Sequence, residues 1–227
     1  MSLQPFMEDE TEPWYSSIWP HASDFVECVS DRCKQTGIMT PIETVLAVAL
    51  GIGLSAAAGL RVFIPPLGVN IAALSGHLPL AEGFAWLGSP LATAALGTAA
   101  LIEIGAYYIP WVDNLLDTMA SPLAIAAGTL LTASTLGDTS PFMQWALALV
   151  AGGGSAGVVQ GGTVLLRGTS SATTGGAGNP LVSTGEAGGA MLLTVLALIS
   201  PLLALAALVG LGFYLIRRLR KPRTTAS

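Results

Sequence analysis

Residues 42–60 read IETVLAVALGIGLSAAAGL, and Glu43 is the only charged residue in this run. A helix needs about 20 apolar residues to cross the hydrocarbon core of a bilayer. Backbone polar groups in lipid must be paired within the protein, which a helix achieves by itself. This stretch therefore predicts a transmembrane helix, and an all-α integral membrane protein to contain it.

Further apolar runs predict more spans of the same kind. Several begin with a hydroxyl residue followed by proline, as at Thr40-Pro41 and Ser140-Pro141, which is typical of a helix N-terminus. The predicted spans are 42–60, 90–108, 118–136, 141–166 and 187–216. The predicted fold is thus a polytopic transmembrane helical bundle of about five spans.

The composition agrees with a membrane fold. The chain has 227 residues, of which 52% are hydrophobic and 10% are charged, whereas soluble domains carry about 25% charged residues. Between residues 38 and 216 the only basic residues are Arg61 and Arg167, which is too few for a solvated surface. No basic, aromatic patch is present, so nucleic acid is excluded as a partner and the lipid bilayer is expected instead.

Charge divides the chain into three parts. Residues 1–37 are predicted to be an acidic soluble tail, residues 38–216 the transmembrane domain, and residues 217–227 a basic tail. Basic residues flanking a span favour the cytoplasm, which predicts a cytoplasmic C-terminus. Five crossings would then place the N-terminal tail on the opposite side.

Two cysteines, Cys28 and Cys33, lie in the N-terminal tail. They are expected to form a disulfide if the tail is extracytoplasmic and to be free thiols if it is cytosolic. A metal site is disfavoured because only His21 lies nearby. The aromatic residues of this tail, or the Gly/Ala-rich helix faces, are candidate contacts for a membrane-protein partner.

Two stretches are too short or too irregular for ordinary spans. Residues 62–76 are interrupted by Pro65-Pro66, and residues 168–180 consist almost wholly of Gly, Ser, Thr and Ala. Irregular backbone at membrane depth must be covered by protein or line a water-filled cavity. Both stretches are predicted to be re-entrant or half-helical, and the alternative for 168–180 is a flexible surface loop.

The sequence contains a weak internal repeat. Residues 51–59 align with residues 151–159, and each segment is followed by one of the two arginines, Arg61 or Arg167. Halves 42–110 and 141–216, joined by a span at 118–136, would have opposite orientations, as in many transporters. Chance similarity is the alternative, because small residues are common in membrane helices.

Three motifs resemble a known family. They are GLSAAAGLRVFIP at 53–65, IPWVDNLLD at 109–117 and TTGGAGNP at 173–180. Together they resemble the bacterial membrane family called domain of unknown function 4126, over residues 43–215. The resemblance implies a multi-pass protein of the bacterial inner membrane, and the family offers no established activity. Family members carry a charged pair where this chain has Tyr107-Tyr108.

The two isolated arginines are the first functional candidates. An arginine in hydrocarbon costs at least roughly 2.5–3.5 kcal/mol, so each needs a partner or water. Arg61 and Arg167 would either face a central cavity and attract an anionic group, or pair with a carboxylate near a helix end.

Carboxylates form the second group of candidates. Glu103 lies inside the second predicted span, and Asp113 and Asp117 share one helix face at i and i+4. They would hold a cation or relay protons, or else cap helices and pair with the arginines. No His or Cys accompanies them, so no metal site is predicted. Glu186 is placed in the first turn of the last span, where it suits the helix dipole.

The Gly/Thr motif is the third candidate. Its polar and glycine residues would line a permeation path or hold an anion, or else pack tightly around a turn. The residues concerned are Thr173, Thr174, Gly175, Gly176 and Asn179. The motif lacks the lysine of a phosphate-binding loop, so nucleotide binding is not predicted.

These patterns favour a small-solute or ion transporter, or a channel-like protein, with its path between the two halves. The alternative is a non-catalytic accessory or scaffold subunit of a membrane complex. No catalytic arrangement surrounds His77, the single histidine of the predicted membrane domain. The sequence therefore predicts no enzyme activity and no cofactor.

Overall fold

The computed structural model describes residues 41–107, 109–137 and 139–220, with side chains described except at 41, 110–117, 215, 219 and 220. Within these ranges the chain is helical and contains no strand, which confirms the all-α prediction. The helices are α1 Pro41–Leu60, α2 Ile64–Leu74, α3 Pro90–Ala106, α4 Pro110–Thr135, α5 Pro141–Leu147, α6 Gly154–Thr174, α7 Asn179–Ile199 and α8 Pro201–Arg220. Ala85–Gly88 forms one turn of 3-10 helix.

The described part has four helices that are long and apolar enough to cross a membrane. They are Ile42–Leu60, Pro141–Thr174, Asn179–Ile199 and Pro201–Arg218. The helix Pro141–Thr174 consists of α5 and α6, joined by a π-helical segment, Ala148–Gly153. The chain is therefore helical without interruption over this range. The predicted spans 90–108 and 118–136 correspond to the shorter apolar helix α3 and to part of α4, which are not among the four.

The predicted span 187–216 is two helices rather than one. Helix α7 ends at Ile199, and Ser200 adopts an extended conformation with φ −149° and ψ 92°. Pro201 begins α8. Proline has no N–H for the helix ladder, and it pushes the preceding residue out of the α region. The break therefore follows from a single residue inside an otherwise continuous apolar run.

The structure also differs from the prediction at 168–180. Helix α6 continues to Thr174, and α7 begins at Asn179. Gly175 and Gly176, with φ of 62° and 91°, make the turn between them. Glycine adopts this left-handed conformation without steric cost. The segment is thus a helical hairpin and not a stretch of irregular backbone, whereas 62–76 does contain a short helix, α2.

Helix α1 lies at the centre of the described bundle, in contact with α4, α6, α7 and α8. Small residues bring the helices close together. Ser55 donates a hydrogen bond to the Gly128 carbonyl at 2.6 Å and lies 2.9 Å from the Thr132 hydroxyl. The outer surface carries large apolar side chains such as Leu91, Leu181 and Ile199. Apolar side chains in the core and on the outside are expected when lipid is the solvent.

The directions of the helices do not fit an inverted repeat. Along α1, Ala47 pairs with Thr135 and Ser55 with Gly128, so α1 and α4 are antiparallel. Helices α5–α6 are also antiparallel to α4, because Gly152 lies against Thr132 and Gly157 against Ile125. The two aligned segments, 51–59 and 151–159, therefore run parallel. Helix α2 turns back beside α7, where Gly68 lies against Thr194.

Candidate functional site

The two isolated arginines meet in the interior of the bundle. The guanidinium carbon of Arg61 lies 3.9 Å from the centre of the Tyr107 ring, and that of Arg167 lies 4.0 Å from it. Arg61 is 1% exposed and Arg167 is 4% exposed. A cation over a tyrosine ring is attracted by the negative face of the ring, and burial strengthens this attraction. Both guanidiniums therefore lie within cation–π distance of one tyrosine ring.

Glu186 provides the carboxylate that both arginines share. It accepts hydrogen bonds from Arg167, from Nε at 3.1 Å and from Nη2, and lies 3.6 Å from Arg61 Nη2. Glu186 is 5% exposed. Because α7 begins at Asn179, Glu186 lies beyond the first turn of its helix, unlike the position that the sequence predicts. Its main electrostatic partners are the arginines and not the helix dipole.

Within the described part of the chain, Arg61 has more hydrogen-bond donors than acceptors around it. Its Nη2 group donates to the carbonyl oxygen of Ser183 at 2.8 Å and also contacts the Ser183 hydroxyl. Among the residues that the structure describes, its Nε and Nη1 groups have no hydrogen-bond partner. Buried polar groups are nearly always paired, so such donors indicate a bound water, an ion or a functional role.

Glu103 holds the connection between α1 and α2. Its two carboxylate oxygens accept hydrogen bonds from the backbone N–H groups of Val62 at 2.8 Å and Phe63 at 3.1 Å. Amides at the start of a helix lack partners within the helix. This is the capping alternative for Glu103, and it fixes the turn that carries Arg61.

We expect Glu103→Gln to lower the free energy of unfolding by about 1–3 kcal/mol, because the amide NH2 faces a backbone N–H and leaves a donor without an acceptor. The control is Glu82→Gln, since Glu82 is exposed. Equilibrium unfolding in mixed micelles measures both variants. Equal stability of the two would show that the capping contacts contribute nothing.

The Gly/Thr motif lies away from the arginines. Thr173 and Thr174 are exposed, and their hydroxyls donate to helix carbonyls, at 2.9 Å to Thr169 and at 2.7 Å to Ser170. The side-chain amide of Asn179 donates to the Ser171 hydroxyl at 3.0 Å. Thr174 is seven residues beyond Arg167, or about 10 Å along α6. The structure therefore joins the two arginines but does not bring Thr173, Thr174, Gly175 and Gly176 to them.

The remaining candidates lie partly outside the described residues. Asp113 and Asp117 belong to the first turns of α4, and their side chains are not among those described. Cys28 and Cys33 lie outside the described residues, as do both predicted tails apart from 217–220. Within the described ranges no group of His, Cys, Asp and Glu side chains is arranged to hold a metal ion.

Sequence reasoning did not select Tyr107, Ser183, Glu186 or Asn70 as site residues. Asn70 is fully buried, and its side-chain amide donates to Leu87 O at 2.6 Å and to Ser89 O at 3.1 Å, which ties α2 to the start of α3. The one sequence signal for Asn70 is that an asparagine stands within a short apolar stretch. Nothing local indicates that Tyr107, Ser183 and Glu186 face the arginines.

The apolar helices, the lipid-like exterior and the buried Arg–Tyr–Glu site define a helical membrane protein. The chain belongs to the family described as Domain of unknown function (DUF4126), which matches residues 48–221. This family is the one that the three sequence motifs resemble. No curated protein and no solved structure matches the chain.

Proposed function

We propose that this protein carries a small anion across the membrane and that Arg61 and Arg167 bind it. The observation that supports this most directly is the pair of unpartnered donors on Arg61 within the described part, on a side chain that is 1% exposed. Arginine offers five N–H donors in a planar fork that suits carboxylate, phosphate and related anions.

The charges around the site support an anion over a cation. Glu186 is shared by two guanidiniums, and both oxygens of Glu103 are occupied by the amides of Val62 and Phe63. Among the described residues, Arg61 therefore has two donors, Nε and Nη1, for which no acceptor is free. An anion would complete the hydrogen bonding of Arg61.

The position of the site in the fold also supports transport. Arg61 lies at the break between α1 and α2, where the chain reverses direction. Binding sites of membrane transporters are often built at such interruptions. In this proposal the structure is a closed state, because Glu186 occupies the space between the arginines that the anion would enter.

Flux into liposomes tests the proposal. Vesicles containing the protein are assayed with chloride, nitrate, phosphate and acetate, with potassium as the cation comparison. We expect Arg61→Gln to lower anion flux about tenfold or more, because a lost charge-assisted hydrogen bond contributes about 1.5–3 kcal/mol and 1.4 kcal/mol is a factor of ten.

The matched control is Arg217→Gln, which removes the same charge from an exposed position that stacks on Phe213. It should retain the wild-type flux. Both variants must elute as folded protein with unchanged helix content. Flux no greater than in empty vesicles for every anion would refute anion transport, and equal flux for both variants would refute anion binding by Arg61.

We propose as the second candidate an accessory or scaffold subunit, which the exposure of α8 favours. Its segment Pro201–Arg218 is only 6% buried within the described structure. A helix so lightly packed leaves an apolar face for a partner helix, and the tail 1–37 offers a second contact. Purification in mild detergent that gives a lone species, unaltered by deletion of 1–37, would count against this role.

The topology proposed with either function places the protein in a bacterial inner membrane with its C-terminus in the cytoplasm. The orientation rests on the basic cluster that begins at Arg217 and Arg218, at the end of α8. The bacterial inner membrane is what the family resemblance implies. Reporter fusions after residue 227 that were active only outside the cytoplasm would contradict this orientation.

A further inference from the structure

A separate apolar groove lies between α2, α3 and α4. Its volume is about 200 Å³. Val62 and Phe63 line one part of it, and Trp86 and Leu87 line another. Leu123 and Ala126 on α4 are exposed within it, whereas Leu131 at its floor is 1% exposed. The groove therefore starts at the outer surface of the bundle and reaches buried side chains.

The lining selects a hydrocarbon as the occupant. All the described side chains that line the groove are apolar or aromatic. A water molecule needs two to four polar partners, which such walls do not offer, and an apolar cavity of about 150 Å³ stays dry and binds benzene. An unfilled groove of this size would also lose the dispersion contacts of its walls.

The position of the groove favours a lipid chain as its occupant. Helix α3 packs closely on α2 but only lightly on α4, which leaves the opening on the side where a membrane protein faces lipid.

We propose that this groove binds one acyl chain of a membrane lipid. The chain enters between α3 and α4, passes Ala126 and contacts Leu87 and Leu131. The site does not depend on anion transport, since no charged group is found among the described residues that line it. It does share Val62 and Phe63 with the turn that Glu103 holds and that carries Arg61.

Photolabelling of the full chain in liposomes tests the proposal. The probe is a phospholipid with a diazirine on its acyl chain, and labelled peptides are mapped by mass spectrometry. We expect labelling at Leu87 and Leu131, which line the groove and are only 5% and 1% exposed. Labelling confined to outward-facing residues such as Leu91 and Leu101 would overturn the proposal, whatever any variant does.

Two matched variants sharpen the result. Ala126→Phe fills the groove from an exposed position and should lower labelling of Leu87 and Leu131 about tenfold, which corresponds to about 1.4 kcal/mol of binding free energy. Ala95→Phe adds the same ring on an exposed part of α3 outside the groove and should change nothing. Equal labelling of the two variants at Leu87 and Leu131 would overturn the proposal.

A variant that lacks residues 1–40 tests whether this segment, rather than a lipid, occupies the groove. If residues 1–40 filled the groove, Leu87 and Leu131 would be unlabelled in the full chain and labelled after these residues are deleted. That result would overturn lipid binding in the native protein. Labelling that is equal with and without residues 1–40 supports the lipid.

Discussion

Replacement of Glu186 by glutamine is expected to lower the free energy of unfolding by about 3–5 kcal/mol. The reason is that the variant keeps two buried guanidiniums, on Arg61 and Arg167, and removes the carboxylate that they share. Breaking one side of a buried ion pair leaves a charge that neither water nor a counter-ion compensates. Equilibrium unfolding in mixed micelles, followed by helix content, measures the loss.

The control for Glu186→Gln is Glu82→Gln, which makes the same chemical change at an exposed position. It is expected to change stability by less than about 0.5 kcal/mol. A Glu186→Gln protein as stable as the Glu82→Gln protein would show that the arginines are compensated by other groups.

The double variant Arg167→Gln, Glu186→Gln separates charge from packing. Removing both members of a buried ion pair is often nearly neutral, whereas removing one is costly. The double variant should therefore be more stable than Glu186→Gln alone, and the non-additivity gives the coupling between the two side chains. Strictly additive effects would indicate that the ion pair contributes no interaction energy.

Replacement of Gly152 by alanine is expected to lower the free energy of unfolding by about 1–3 kcal/mol, because α1, α4 and the π-helical segment pack too closely for a methyl group. A Cβ atom at this position would lie 2.5 Å from the Gly128 carbonyl oxygen and would overlap the Thr132 hydroxyl. One of these two obstacles, the Gly128 carbonyl oxygen, belongs to the backbone and cannot rotate away.

Gly154, two residues further along the same continuous helix, is the matched control. It is exposed, and a Cβ there would meet nothing within 4 Å. Gly154→Ala should be neutral or stabilising by up to about 1 kcal/mol, since alanine is the better helix former. The two variants are compared by thermal unfolding in one detergent. The same sign for both would contradict close packing at Gly152.

The difference between predicted and observed elements has local causes. The boundary at Leu60 agrees with prediction because a charged residue, Arg61, ends the apolar run. The break at Ser200 was not predicted, because one proline interrupts a run whose hydropathy hardly changes. For the re-entrant or half-helical segment predicted at 168–180, the sequence did not give the helix bounds: α6 extends to Thr174 and only the turn requires glycine.

Within the candidate site, the sequence selected Arg61 and Arg167 but could not pair them. A lone arginine among apolar residues carries its own signal, because the cost of exposing it to hydrocarbon is a property of the residue. Its partner carries no such signal. From the sequence, Glu186 is expected near the start of a helix, where a carboxylate is common. Its different position is known only once α7 is seen to begin at Asn179.

The sequence by itself determined that this protein is helical and resides in a membrane. The reason is that the free energy of transfer into lipid is a sum over consecutive apolar residues. Only the tertiary structure decided that Arg61 reaches Ser183 across 122 residues, and that both arginines share Tyr107 and Glu186. Such contacts depend on helix direction and close approach. Those are set jointly by α1, α2, α6 and α7 rather than by the pattern within any one of them.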